Sequence, residues 1–172
     1  MKNILSSIIE WVICIIVAII LTLLIKTFLF DIIRVSGTSM VPTLHDKDIV
    51  GVEKLSLYKN KFDYKDIVIF DSRNEKHNIY IKRVIGLPGD TVEIKDGGVY
   101  INGEHLNETY LDPNTTTTGN LSVTLDDSHI FVLGDNREVS EDSRQLGPIP
   151  IDSIKGHAVF RFFPLSKIGT LK

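Results

Sequence analysis

From Ile8 to Phe30 the chain is apolar at nearly every position, interrupted by Glu10, Thr22, Lys26 and Thr27. Coiled as a helix, residues 8–30 extend roughly 34 Å, enough to cross a hydrocarbon core of roughly 30 Å. No one-sided polar stripe marks the run as a surface helix of a soluble domain. Glu10 and Lys26 sit one turn in from either end, where long side chains reach headgroups. Trp11, Phe28 and Phe30 fall at interfacial depth. A cleavable secretory signal has a shorter apolar region of roughly 7–15 residues and a small-residue cleavage site. Here the run continues into Thr27-Phe28-Leu29-Phe30-Asp31-Ile32-Ile33-Arg34, which offers no such site. The expected organisation is a short N-terminal segment over 1–7, a retained transmembrane helix over 8–30 and one domain over 31–172.

Beyond Asp31 the pattern changes to short runs of Ile, Val, Phe and Tyr bounded by Gly, Pro, Asn and Asp, which reads as strands and turns. The expected strands are Asp48–Glu53, Asp66–Asp71, Ile79–Ile85, Thr91–Lys95, Val99–Ile101, Ile130–Leu133 and Gly156–Phe163. Asp96-Gly97-Gly98 and Asn102-Gly103 bracket Val99-Tyr100-Ile101 and predict tight hairpins. No helical periodicity follows residue 31, so the fold class is mostly β, an antiparallel domain behind one N-terminal helix. Residues 104–128 are rich in Asn, Thr, Asp and Ser and read as a surface excursion.

Composition narrows the chemistry. Residues 31–172 carry 17 basic and 21 acidic side chains, so the domain lacks the basic face that a nucleic-acid partner requires. The charges flanking the apolar run are nearly balanced and leave its orientation open. Cys14, inside that run, is the only cysteine. Intrachain disulfides, thiol catalysis and cysteine zinc sites in the domain are thereby excluded. The histidines His45, His77, His105, His129 and His157 show no metal-ligand spacing. No P-loop, GxGxxG, HExxH or GxSxG is present. Ser56-Leu57-Tyr58-Lys59 fits S-x-x-K, without the companion motifs of penicillin-binding enzymes.

Three segments carry unusual residues. Val35-Ser36-Gly37-Thr38-Ser39-Met40-Val41-Pro42-Thr43-Leu44 places a serine on a glycine-containing turn just past the apolar run. In Tyr80-Ile81-Lys82-Arg83-Val84-Ile85-Gly86-Leu87-Pro88-Gly89-Asp90 a lysine interrupts a strongly β-forming strand. Gly134-Asp135-Asn136-Arg137-Glu138-Val139-Ser140-Glu141-Asp142-Ser143-Arg144 is a dense polar loop following an apolar strand. Taken singly, these are a turn serine, a snorkelling lysine and a solvated ion-pair cluster.

Together and in this order, the segments closely resemble the signatures of bacterial type I signal peptidases, over a stretch from about Lys26 to Phe163. The short chain with one anchor is similar to the compact forms of Gram-positive bacteria. The resemblance implies a membrane-bound serine endopeptidase with Ser39 as nucleophile, Lys82 as general base and Ser140 orienting that base. It implies structural support from Arg83, Asp135, Asp142 and Arg144, and apolar subsites built from Val35, Met40, Leu44 and Ile81. No metal or cofactor is implied. The implied partners are secretory preproteins and the lipid bilayer, with a monomeric domain on the extracytoplasmic side, cutting after Ala-X-Ala. Physical chemistry makes the pair workable, because burial lowers a lysine pKa from about 10.4 by up to roughly 3–5 units. Gly37 departs from relatives that carry an oxyanion-binding serine two residues before the nucleophile, which leaves the Ser39 backbone N–H as donor. Rival readings are a LexA-like self-cleaving protein and a precursor-binding pseudoprotease. The first needs a DNA-binding module where this chain has an apolar run, and the second predicts loss of Ser39 or Lys82.

Overall fold

The computed structural model describes residues 4–59, 61–72 and 77–171. Among the described residues a helix α1 (Ile4–Phe28) is followed by twelve strands, one short α-helix and three single 3-10 turns. The strands are β1 (Phe30–Arg34), β2 (Ile49–Glu53), β3 (Ile67–Asp71), β4 (Ile79–Gly86), β5 (Thr91–Lys95) and β6 (Gly98–Ile101). They continue with β7 (Glu104–His105), β8 (Leu121–Thr124), β9 (His129–Leu133), β10 (Ile149–Pro150), β11 (Ile154–Phe163) and β12 (Gly169–Thr170). The short helix α2 (Ser143–Leu146) lies between β9 and β10.

All seven expected strands are present, with ends moved by no more than two residues. Asp96-Gly97 and Asn102-Gly103 form the expected two-residue hairpins, each with positive φ at both positions. The apolar helix ends earlier than its composition suggests. Phe30 pairs with Glu53 in β1–β2, so the ladder takes the chain over from Leu29 onward. Lys54 Nζ, 3.3 Å from the Lys26 carbonyl, meets one acceptor orphaned by that ending. From Ile8 to Phe28 the side chains of α1 are exposed all round. Of the expected N-terminal segment, residues 1–3 lie outside the described residues, and residues 4–7 belong to α1.

The main sheet runs β1-β2-β11-β3-β4-β9-β10, with β12 added to β11, and a second sheet runs β7-β6-β5-β8. All strand pairings among the described residues are antiparallel. Strand β3 is apolar at four successive positions because both faces are covered. Ile67 and Ile69 join one cluster with Met40, Leu44, Val50 and Val52. Val68 and Phe70 join another with Val84, Ile130 and Val132. A third cluster, with Ile85, Phe131 and Leu133 against Val92, Ile94 and Val99, joins the two sheets.

Residues 104–128 are more integrated than their polar composition suggests. They supply β7 and β8 to the second sheet, Leu125 is buried, and Leu106, Leu121 and Val123 pack on the third cluster. Thr117 is also buried, a polar residue whose place in the interior no local pattern announces.

Candidate active site

The turn carrying Ser39 is fixed at its base and plugged from below. Val35 N–H donates to the Asp48 carbonyl at 2.8 Å, and Lys47 N–H to the Val35 carbonyl at 2.9 Å. Gly37 adopts φ +94°, the left-handed region that favours glycine, and its N–H reaches Asp46 Oδ1 at 3.1 Å. A serine there would carry a strained backbone, so Gly37 serves the shape of the turn. Met40 and Leu44 insert fully into the first core cluster, and Ser39, just before Met40, is left half-buried.

Lys82 faces the end of a strand pairing. On one side it pairs with Val68 of β3. On the other, β9 pairs with β4 only from Arg83, which opposes Leu133, so Gly134 leaves the ladder alongside Lys82. The lysine is 2% exposed, and its Nζ lies 2.8 Å from Ser39 Oγ. It also sits 5.2 Å from the centre of the Tyr80 ring, whose hydroxyl donates to Glu141 at 2.6 Å. Burial lowers the Lys82 pKa to about 8, although Asp142, Glu141 and Asp135 pull it upward.

The loop after β9 closes over both residues. Asn136 N–H donates to the Ser39 carbonyl at 2.9 Å, and Asn136 Nδ2 to the Thr38 carbonyl at 3.3 Å. Asp142 caps α2 and accepts from Gly134 N–H at 3.0 Å and Arg144 Nε at 2.9 Å. Arg144 Nη2 reaches on to the Arg137 carbonyl at 2.7 Å. The hydrogen bond expected from Ser140 to Lys82 is not made here: Ser140 Oγ is buried without a partner and packs against Gly134. A Cβ at Gly134 would meet Ser140 and come 2.6 Å from the Ser39 carbonyl oxygen. We expect Gly134→Ala to displace the turn that carries Ser39 and cut kcat at least tenfold, measured on protein whose melting confirms folding. Wild-type turnover would show that the loop does not set the position of Ser39.

Beside the loop lies a buried ion pair. Arg83 Nε and Nη2 donate to the two Asp135 oxygens at 2.8 and 2.7 Å, and both side chains are fully buried. Arg83 Nη1 donates to the Lys65 carbonyl at 2.9 Å, while Thr43 Oγ1 donates to Asp135. The guanidinium lies 4.0 Å from the centre of the Tyr110 ring. Val35, Met40 and Leu44 share one buried cluster, and Ile81 packs half-buried against it. The structure thus gathers the residues singled out from the sequence around Ser39 and Lys82. Sequence reasoning missed Thr43, Asn136 and Arg137, which sit inside the signature stretches, and Glu108, Tyr110 and Thr117, which carry no local signal. A cleft of about 810 Å³ lies away from these residues, lined by Leu57, Phe62, His129, Ile151 and Ile154.

The family model described as "Signal peptidase, peptidase S26" matches residues 8–163. A signal peptidase I of Bacillus licheniformis is 45% identical, the match covering 95% of this chain and 92% of that protein. Signal peptidase I S of Bacillus subtilis is 40% identical over 95% of this chain and 93% of its own length. A signal peptidase I crystal structure from Enterococcus faecalis is 36% identical, with a TM-score of 0.49, covering 56% of this chain and 96% of that one. The chain is therefore a serine peptidase, a hydrolase of peptide bonds. It belongs to the signal peptidase family, peptidase S26.

Proposed function

We propose that this protein is a membrane-anchored endopeptidase that removes signal peptides from secretory preproteins, with Ser39 as nucleophile and Lys82 as general base. The observation that carries this reading is a lysine 2% exposed whose Nζ lies 2.8 Å from Ser39 Oγ. Such a lysine has lost most of the hydration that keeps an ammonium charged, so a useful fraction is neutral near pH 8.

Neutral Lys82 takes the Ser39 proton as Oγ attacks the scissile carbonyl, and the resulting ammonium returns it to the departing amine. Water then attacks the acyl-enzyme, and Lys82 takes its proton and passes it to Ser39 Oγ as the ester bond breaks, which restores the starting pair. Negative charge grows on the substrate carbonyl oxygen, opposite the Ser39 N–H, which donates to no group among the described residues. That N–H is aimed by its own peptide plane. The Thr38 carbonyl is held by Asn136 Nδ2 and Val41 N–H, so the Ser39 N–H on the same trans peptide points the other way. To Ser140, whose buried hydroxyl has no partner among the described residues, we assign the base-orienting role, taken up when that hydroxyl turns to Lys82.

Arg83, Asp135, Asp142 and Arg144 brace the site through charge-assisted bonds. Upstream of Lys82, β4 is paired by β3 on one side and leaves its other edge open among the described residues. An extended precursor segment can add to that edge and reach the serine. Ile81, half-buried, faces shallow apolar subsites that fit alanine-sized side chains one and three places before the cut, and Val35, Met40 and Leu44 back it from the core. Helix α1, apolar and exposed from Ile8 to Phe28, is the anchor, with a monomeric domain on the extracytoplasmic face. It confines enzyme and membrane-inserted precursor to the same plane.

The test is cleavage of an Ala-X-Ala precursor by the full chain in detergent, with the cut located by mass spectrometry. Lys82 is active when neutral, so kcat/KM should rise tenfold per pH unit below about 8 and level off above it. Cutting elsewhere in the precursor would defeat the subsite reading. A midpoint near pH 10 would defeat the role of burial.

A further inference from the structure

The loop over the dyad is held from a part of the chain that the proposed chemistry leaves idle. Arg137 is 2% exposed, although a guanidinium keeps its charge at any ordinary pH. Its Nε donates to the Gly134 carbonyl at 3.0 Å. Its Nη1 and Nη2 form a fork onto the two oxygens of Glu108, and Nη1 also donates to Thr117 Oγ1. Both acceptors belong to the 104–128 stretch. Glu108 Oε1 accepts in turn from the Tyr110 hydroxyl at 2.5 Å, and the Tyr110 ring stacks on Arg83. One acidic side chain therefore joins the two arginines that flank the site in sequence: Arg83 follows Lys82, and Arg137 follows Asn136, whose amides hold the carbonyls of Thr38 and Ser39.

We infer that Glu108 is a positioning residue for proteolysis, acting through Arg137 to fix the 134–137 loop and hence the turn that presents Ser39. The inference rests on the Ser39–Lys82 reading. The physical ground is that a buried guanidinium is stable only where its donors are met. Removing the carboxylate leaves two donor positions of Arg137 to find new acceptors, and the loop moves with them. Substrate has no part in this contact. The effect therefore falls on kcat and leaves KM alone, which separates positioning from a 104–128 stretch that touches the precursor.

The experiment is steady-state cleavage of the Ala-X-Ala precursor by the full chain in detergent, at saturating and limiting substrate. For Glu108→Gln we expect kcat to fall about tenfold with KM unchanged within about twofold. Arg137→Gln should lose at least as much, and the double variant no more than Arg137→Gln alone, since both act through one contact. Glu108→Asp, which keeps the charge, should recover part of the loss. Thr117→Val removes one acceptor only and should lower kcat about threefold; it decides the matter if Glu108→Gln does not fold. Unchanged kcat in Glu108→Gln or, failing that, in Thr117→Val overturns the inference, as does multiplying losses in the double variant or a rise in KM alone. If Ser39→Ala were fully active, the dyad reading itself would be at fault. If Ser39→Ala is inactive while Glu108→Gln cuts like wild type, only the positioning inference falls.

Discussion

Ser39→Ala and Lys82→Met are each expected to lower kcat for precursor cleavage by a thousandfold or more, on the order seen when members of a catalytic unit are removed. The two differ in what they do to stability. Lys82 titrates at about 8 in the folded chain and near 10.4 when unfolded. Between those values the unfolded state binds more protons, so stability rises with pH across the window from 8 to 10.4. Below pH 8 the full penalty applies, about 3 kcal/mol for a shift of this size. Lys82→Met fills the same apolar site without the charge. We expect it to be inactive yet more stable than wild type at pH 7, with the gain shrinking as pH approaches 10. Ser39→Ala carries no such gain. Denaturant titrations of the three proteins at pH 7 and pH 10 check this. Full activity in either variant would end the dyad assignment, and a destabilised Lys82→Met at pH 7 would show that Lys82 is not buried at net cost.

The second large effect belongs to the Arg83–Asp135 pair. Arg83→Met leaves the Asp135 carboxylate wholly buried with the Thr43 hydroxyl as its remaining side-chain donor. Breaking a buried pair from one side costs about 3–5 kcal/mol. We expect that loss in urea unfolding followed by far-ultraviolet circular dichroism. Arg83→Lys should rescue little, because one ammonium cannot serve both Asp135 oxygens and the Lys65 carbonyl while stacking on Tyr110. Replacing both partners, Arg83→Met with Asp135→Leu, should recover most of the stability, since no uncompensated charge remains. Its activity should stay low, because Asp135 adjoins Asn136 in the loop against Ser39. A single-variant loss below about 1 kcal/mol would show that water reaches the pair.

Seven of the twelve described strands, both hairpins and the long apolar helix were legible from short-range pattern. Alternation in β5, the continuous apolar run in β3 and Asn102-Gly103 each state a local preference that the fold left in place. The end of the helix was not legible. Phe30 is apolar enough to extend α1, and only the presence of Glu53 across the ladder drew it into β1. Residues 104–128 are largely exposed, as their composition suggests, with one exception that composition hides. Their polar composition reads as surface, whereas Thr117 is buried because a buried arginine requires an acceptor there.

By itself the sequence determined the kinds of group available: a serine on a glycine turn, a lysine in an apolar strand and an acid–arginine loop, in the order of one family. It also determined the local structure that carries each of them, because backbone periodicity acts over a few residues. Tertiary structure decided where these groups meet. Ser39 and Lys82 are 43 positions apart, Arg83 and Asp135 are 52, and Glu108 and Arg137 are 29. Their meeting depends on β9 parting from β4 at Arg83, which releases Gly134 beside Lys82 and turns the loop back over Ser39. Strand register and the demand that every buried charge find its partner fix that outcome, and both act only once distant segments are packed together.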